Sequence, residues 1–568
     1  MEHLIPQVIL VVVVAAMVIG LSTVSDRLGV APPLILMLVG VGISFLPFVE
    51  PIEIQPEWIL VVILPPLLYA AAIAIPTVDF RRDFAAVGGL AVVLVIISAV
   101  ILGLIIHWIL PDVSMGFCIA LGAILSPTDA AATTIVRRLG VPSRVRNILQ
   151  GESLLNDATS LVLLRSAVAA AAAAAAAAKD ATIKPMAWWG ILGDFFWAAL
   201  AAAVIGALVG WLGVRVRRLI HEAAPATAAS FLIPFVAYVP AELVHASGLV
   251  AVVAAGLVSA HTGPKHIDAR QRLSERANWH TVEFLLEGTV FFIMGLELKG
   301  FIEDVTATHE SIWVAVGIAA LALVLAIVLR GGFIAGLLHT LGRTSKKKIK
   351  RSKDIKNVGH QDVEWRKREE LMLERRAQIS SRLKNFDSKE ERRSHRVEYF
   401  STLIQRYLAD AEYFIRQPLG FKEGGLLIWG GMRGVVTLAA AQTLPLDTPH
   451  RSLMILIAFF VAAGSLLIQG GTLGWFVKGV GLDGQDIEPA GEWDRIAKEL
   501  KTAANEWSPP LGKTIAEERV PLMKIRAQRA ALLDLRATGT YSSSVLSHAL
   551  NELDAEELSI QIRLAKDN

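Results

Sequence analysis

Only one of the 568 residues, Cys118, is a cysteine, and it sits inside an apolar run, so no intrachain disulfide and no metal-thiolate site is encoded. A His-rich metal cluster, a partner nucleophile and a second matching aspartate motif are also missing, which argues against hydrolytic chemistry by Asp129 and Asp157 inside a membrane. No phosphate-cradling glycine loop occurs in the C-terminal part. Net charge is nearly absent too: 55 Lys and Arg against 52 Asp and Glu leave +3. These charges crowd into residues 343–420 and the stretch after about residue 481, leaving the rest very apolar. With 54% hydrophobic residues and a mean hydropathy of +0.52, the chain is read as a membrane protein and not as three or four soluble domains.

A bilayer core about 30 Å thick needs roughly 20 apolar helical residues, because backbone groups left unpaired in lipid are costly. Thirteen such stretches are present, approximately at 4–21, 31–49, 57–76, 85–110, 114–136, 147–178, 187–214, 227–245, 247–260, 280–298, 311–341, 423–445 and 452–478. The ninth is the shortest. Met1-Glu2-His3 supplies no basic n-region and no small-residue cleavage site follows, so the first stretch is expected to be retained. Loops after odd-numbered stretches carry fourteen Lys and Arg, including Arg81, Arg82 and Arg137, whereas the opposite side carries four: Lys179, Lys184, Lys299 and Arg451. This asymmetry places the N-terminus outside and the C-terminus in the cytoplasm.

The expected fold is therefore an all-α polytopic membrane protein. Residues 1–342 hold eleven transmembrane helices, 343–420 a charged helical cytoplasmic loop, 421–480 two further transmembrane helices, and 481–568 a helical cytoplasmic tail. The basic cluster Lys346-Lys347-Lys348-Ile349-Lys350-Arg351 is suited to anionic membrane lipid, although a solvated helical loop explains it more simply. The ten alanines from Ala169 to Ala178 continue a helix already begun.

Ionisable groups near the bilayer centre are expensive, and each needs a partner or a task. The fifth stretch contains Ser126-Pro127-Thr128-Asp129-Ala130, where proline removes a backbone donor and breaks the helix beside an acid. In the sixth, Glu152 and Asn156 share one helical face while Ser153 and Asp157 share a neighbouring one. The twelfth reads Gly430-Gly431-Met432-Arg433-Gly434, three glycines weakening the helix around a permanent cation. Glu152 or Glu287 is its natural counterion. Glu283 and Glu287 lie at i, i+4 in the tenth stretch, and Arg330 lies in the eleventh. Two interrupted helices in separate halves of the chain fit inverted repeats whose broken helices cross at the membrane midplane, with Asp129 and Arg433 neutralising the broken ends.

Taken together, Ser126-Pro127-Thr128-Asp129-Ala130, Gly151-Glu152-Ser153, Asn156-Asp157, Gly430-Gly431-Met432-Arg433-Gly434 and Gly295-Leu296-Glu297-Leu298 resemble the motifs of monovalent cation/proton antiporters of the NhaP and NHE type. The resemblance covers roughly residues 5–480. It implies a homodimer with a core domain moving against a dimerisation domain, and exchange of Na⁺, or K⁺ or Li⁺, for H⁺ across the plasma membrane of a bacterium, serving pH and sodium homeostasis. Asp157 would bind the cation or the proton, with Thr128, Asp129, Ser153 and Asn156 completing or supporting the site. Asn156 fills the place of a second aspartate in electrogenic relatives, which implies electroneutral one-for-one exchange. Glu152 and Arg433 would form a structural ion pair, with Glu287 and Arg330 as additional charge partners. One departure stands out: Ala70-Ala71-Ala72 follows Leu64-Pro65-Pro66-Leu67-Leu68-Tyr69 where relatives often carry an acid, so a coordinating group is missing.

Coupling requires proton and cation to compete for one site, and a single buried carboxylate achieves this because burial disfavours its charged form while a nearby cation favours it. The chain is thus expected to be a transporter, neither an enzyme nor a nucleic-acid binder, with no cofactor beyond the transported Na⁺ and H⁺. A membrane-anchored sensor signalling through loop and tail is the alternative, but an anchor alone would not keep so many intramembrane charges.

Overall fold

The computed structural model describes residues 4–28, 31–47, 49–50, 55–179, 188–361, 406–485, 491–509 and 517–566. Among these the regular structure is entirely helical. Two compact units emerge: Met1–Ala335 with Phe421–Ile487, and Gly336–Gly420 with Glu488–Asn568.

The first unit begins with α1 (Leu4–Leu28), α2 (Pro32–Ser44), α3 (Leu64–Ala74), α4 (Thr77–Gly88) and α5 (Val95–Ile109). There follow α6 (Met115–Ile124), α7 (Ala131–Arg138), α8 (Ser143–Lys179), α9 (Trp188–Leu219), α10 (Ala223–Leu243), α11 (Gly248–His266), α12 (Ala269–Leu296), α13 (Leu298–Ala307) and α14 (Ile312–Gln361), of which the part from Gly336 belongs to the second unit. It closes with α15 (Phe421–Trp429), α16 (Val435–Gln442), α17 (Arg451–Ser465) and α18 (Gly471–Val480). Single π-turns join α4 to α5 at Gly89–Leu94 and α17 to α18 at Leu466–Gly470. Among the described residues, six helices or joined helices are long and apolar enough to cross a membrane, and shorter apolar helices accompany them.

The helices sort into two groups by packing. In one, α9, α10 and α11 lie together, α11 packs on α3, and α12 packs on α2 and α1. In the other, α5, α6 and α8 pack together, with α4 on α8 and α16 on α17. Lipid offers no hydrophobic drive between helices, so close backbone approach through small residues has to hold them. A Cβ at Gly206 or Gly210 of α9 would run into the backbone of Ala251 or Ala255 of α11, and one at Gly295 of α12 into that of α2. A Cβ at Gly122 of α6 would strike Ala99 of α5 in the same way.

Several boundaries differ from the sequence expectation. Arg81 and Arg82 lie on α4, not in a loop, and the helix runs continuously over Thr77–Ile109. The reason is a tertiary contact: Asp79 and Asp83 are buried, and Arg144 of α8 donates from Nε and Nη2 to Asp83 Oδ1 at 3.0 and 2.9 Å, while Asn147 donates to Asp79 Oδ2 at 3.2 Å. Paired charges let a helix extend past its apolar stretch. The ninth stretch is longer than expected, 19 residues in α11, with Ala251, Val252 and Ala255 fully buried. Helix α14 continues to Gln361. The rest of the charged loop, from 362 to 405, lies outside the described residues, as do the side chains of the Lys346 to Arg351 cluster.

The second unit contains α19 (Glu492–Glu506), α20 (Val520–Thr538) and α21 (Ser543–Lys566) around a core of Ile496, Leu500, Ile525, Leu532, Val545 and Leu553. The buried Glu492 pairs with the more exposed Arg416, and Asp554 accepts from Arg529 at 2.8 Å.

Candidate functional site

Both expected breaks are present, and they touch. Helix α6 ends at Ile124 and α7 starts at Ala131, with Pro127 in the irregular stretch between them. Helix α15 ends at Trp429 and α16 starts at Val435, because no regular helix forms over Gly430 to Gly434. The Asp129 amide donates to the Met432 carbonyl at 2.6 Å, tying one unwound segment to the other. Gly434 is required at this crossing, since a Cβ there would overlap the Asp129 carboxylate.

Helix ends expose unpaired N–H groups at the start and unpaired carbonyls at the finish. Asp129 meets two starts at once. Its carboxylate accepts the Ala131 amide at 3.1 Å and the Ala130 amide at the head of α7, and the Val435 amide at the head of α16. Arg433 meets two finishes, donating from Nε to the Leu125 carbonyl at 3.3 Å below α6 and from Nη1 to the Gly431 carbonyl at 3.0 Å beyond α15. Four broken ends thus share one acid and one base.

The expected pairing of Glu152 with Arg433 is not what the structure holds. Glu152 is gripped by Arg330 of α14, whose Nη2 donates at 2.8 Å to Oε2 while Nη1 meets Oε1. Arg330 Nε donates in addition to the Leu427 carbonyl at 2.8 Å. Both side chains are about 2% exposed or less. Among the described residues no carboxylate lies in direct contact with Arg433. Placement accounts for the difference: Arg330 is positioned to meet Glu152 with both prongs, while Arg433 is engaged by the Leu125 and Gly431 carbonyls. Glu287 pairs with neither arginine. Its charged neighbours are the acids Asp129 and Glu283.

From Glu152 a chain of hydrogen bonds leads inward. Thr128 Oγ1 donates to Glu152 Oε1 at 3.0 Å, and Asn156 Nδ2 donates to Thr128 Oγ1 at 2.6 Å and to the Thr128 carbonyl at 3.1 Å. This fixes the Asn156 amide with its Oδ1 buried and unpartnered. On the neighbouring face of α8, Ser153 and Asp157 are 5% and 8% exposed. Among the described residues no donor and no cation reaches the Asp157 carboxylate, and the charge that bears on it is Asp129. Ala70 and Ala72 are buried, Ala72 close against Gly256 of α11, so packing occupies the position of the absent acid. Sequence reading missed the groups that brace the second break, Ser465 and Gln469 of the last apolar stretch, since neither is charged. Their spacing of four beside a glycine pair, Gly470-Gly471, was the only signal.

Known proteins similar to this chain point to one family. Residues 12–352 match the model of the family described as sodium/hydrogen exchanger, transmembrane. An uncharacterized Na⁺/H⁺ exchanger of Mycobacterium tuberculosis strain H37Rv is 28% identical over 520 residues, covering 90% of this chain and 80% of that one. An uncharacterized Na⁺/H⁺ exchanger of Escherichia coli strain K12 is 32% identical over 307 residues, 52% of this chain and 54% of its own length. The chain thus spans about half the length of that relative. The structure resembles that of the sodium proton antiporter MjNhaP1 from Methanocaldococcus jannaschii, with a TM-score of 0.56 at 16% identity, covering 84% of this chain and 99% of that one.

Proposed function

The chain belongs to the transmembrane sodium/hydrogen exchanger family, and from that premise we propose that it exchanges Na⁺, or K⁺ or Li⁺, for H⁺ one for one, with Asp157 as the shared site. The observation that carries this reading is the nine-tenths buried Asp157 carboxylate, which has no hydrogen-bond or ion-pair partner among the described residues, while Asp129, Glu152, Arg330 and Arg433 around it are all engaged. Asp129 is committed to two helix starts and Glu152 to Arg330, so neither is free to release a proton in each cycle.

In the proposed cycle the Asp157 carboxyl arrives protonated, loses its proton on one side, and takes a sodium ion in its place. Oxygens from Asn156 Oδ1, Thr128 and Ser153 complete the cation's surroundings. Proton and sodium carry equal charge, so the loaded site is the same electrically in both forms and exchange is electroneutral. A carboxylate holding neither ion faces the charge of Asp129 without compensation, which disfavours crossing empty and prevents a leak. Glu283 and Glu287 add negative potential that draws cations toward the crossing.

The remaining expectations stand within the same proposal. Thirteen crossings, an N-terminus outside, a cytoplasmic loop and tail, a bacterial plasma-membrane location and a homodimer are supported by the distribution of Lys and Arg and by the family's architecture. The test is proton movement followed by a pH-sensitive dye in proteoliposomes of purified protein on addition of sodium, potassium or lithium chloride. Cation-dependent proton efflux that persists when membrane voltage is clamped is expected. Its absence with all three cations would overturn the assignment.

A further inference from the structure

The second break is held from outside by two uncharged side chains that no charge-based reading assigns. Ser465 closes α17 and Gln469 lies in the π-turn that follows, both about 1% exposed. The Arg433 amide donates to Ser465 Oγ at 2.9 Å, Ser465 Oγ donates to Gln469 Oε1 at 2.5 Å, and Gln469 Nε2 donates to the Trp429 carbonyl at 3.2 Å. The three bonds close a ring that begins at the last residue of α15 and ends at the residue carrying the guanidinium. Between these ends lie Gly430, Gly431 and Met432; the Gly430 and Gly431 amides still reach back to the Leu426 and Ile428 carbonyls at 2.8 and 3.4 Å, but the Arg433 amide has left the helical ladder and takes Ser465 instead. The Trp429 indole strengthens the tie, donating to Thr472 Oγ1 at 3.0 Å and stacking on Phe476 of α18 with ring centroids 5.8 Å apart.

We propose that Ser465 and Gln469 are positioning residues for the exchange site, a clasp that sets the shape of the unwound segment and through it the place of Asp129. The inference rests on the exchange reading given above. The route is short: the clasp fixes the Arg433 amide, the adjacent Met432 carbonyl holds the Asp129 amide at 2.6 Å, and Asp129 is the charge that faces Asp157. The π-turn is the device that makes it possible. Its wider turn interrupts the α-helical ladder directly after Ser465 and lets Ser465 and Gln469, four residues apart, reach the two ends of the interrupted segment. Loss of the clasp leaves helices and charges in place and lets the crossing relax, so the cation site loses its geometry before the protein loses its fold.

The variants are Gln469→Met, which keeps length without hydrogen bonds, Ser465→Ala, their combination, and Ser465→Thr, which retains the hydroxyl. In proteoliposomes the first two are expected to raise the KM for sodium at least about fivefold with kcat within about twofold, and the double variant to do no more than either single one, because the ring acts as a unit. Ser465→Thr restores the wild-type KM. Hydrogen exchange of peptides covering 429–435 rises in Gln469→Met, a readout independent of transport. Unchanged KM and unchanged exchange in Gln469→Met overturn the clasp, even if the melting temperature falls. A wild-type protein without cation-dependent proton flux instead sinks the exchange reading, while the hydrogen-exchange result still judges the clasp.

Discussion

Glu152 and Asp157 sit five residues apart on α8, both acidic and both buried, yet they live in opposite circumstances. Glu152 receives two prongs from Arg330 and a hydroxyl from Thr128, whereas no donor among the described residues reaches the Asp157 carboxylate. Five residues turn a helix by about 140°, so the two carboxylates look at different neighbours. A buried charge that is fully paired is architecture, since releasing it leaves its partner stranded in low dielectric. A buried carboxylate left open is a place where something else belongs. The contrast separates the frame of the crossing from its cargo site on one helix.

Replacing each acid by its amide tests the contrast most directly. Asp157→Asn is expected to abolish cation-dependent proton flux while leaving the detergent melting temperature near that of the wild type; sustained sodium-driven flux would erase the distinction. In the wild type, the KM for sodium should climb as pH falls, because protons claim the same carboxylate, and a KM flat across acidic pH would contradict competition. Glu152→Gln has the opposite signature. It strands Arg330 and should cost about 3–5 kcal/mol, seen as a lower melting temperature, with residual exchange in whatever protein stays folded. Arg433→Ala should destabilise less, by about 1–3 kcal/mol, because it leaves neutral carbonyls unpaired and no charge. Glu287→Gln should act least, raising the KM for sodium about fivefold, on the order of 1 kcal/mol, through the lost field alone. A melting shift there as large as that of Glu152→Gln would mean Glu287 has a structural partner after all.

Much of this site could be read in the chain before any coordinates. Pro127 and the glycines around Arg433 announce the two breaks because their chemistry forbids a regular helix wherever they are placed. Asp129 and Arg433 were legible as the neutralisers of broken ends for the same local reason. Which arginine meets Glu152 was not legible. Arg330 and Arg433 carry the same group, and the choice between them turns on the rotation of α14 against α8, a property of packing and not of spacing. The extension of α4 through Arg81 and Arg82 was not legible either, since it depends on Arg144 and Asn147 from a helix some sixty residues later.

Composition and pattern by themselves determined that this chain lies in a membrane, that two of its helices are interrupted, and that a handful of charges must be accounted for there, because desolvation applies to a residue whatever its neighbours. Only the tertiary structure decided which charges cancel and which one is left over. Cancellation needs contact within a few ångströms, and contact between α8, α14 and the two crossing segments exists only once the helices have packed.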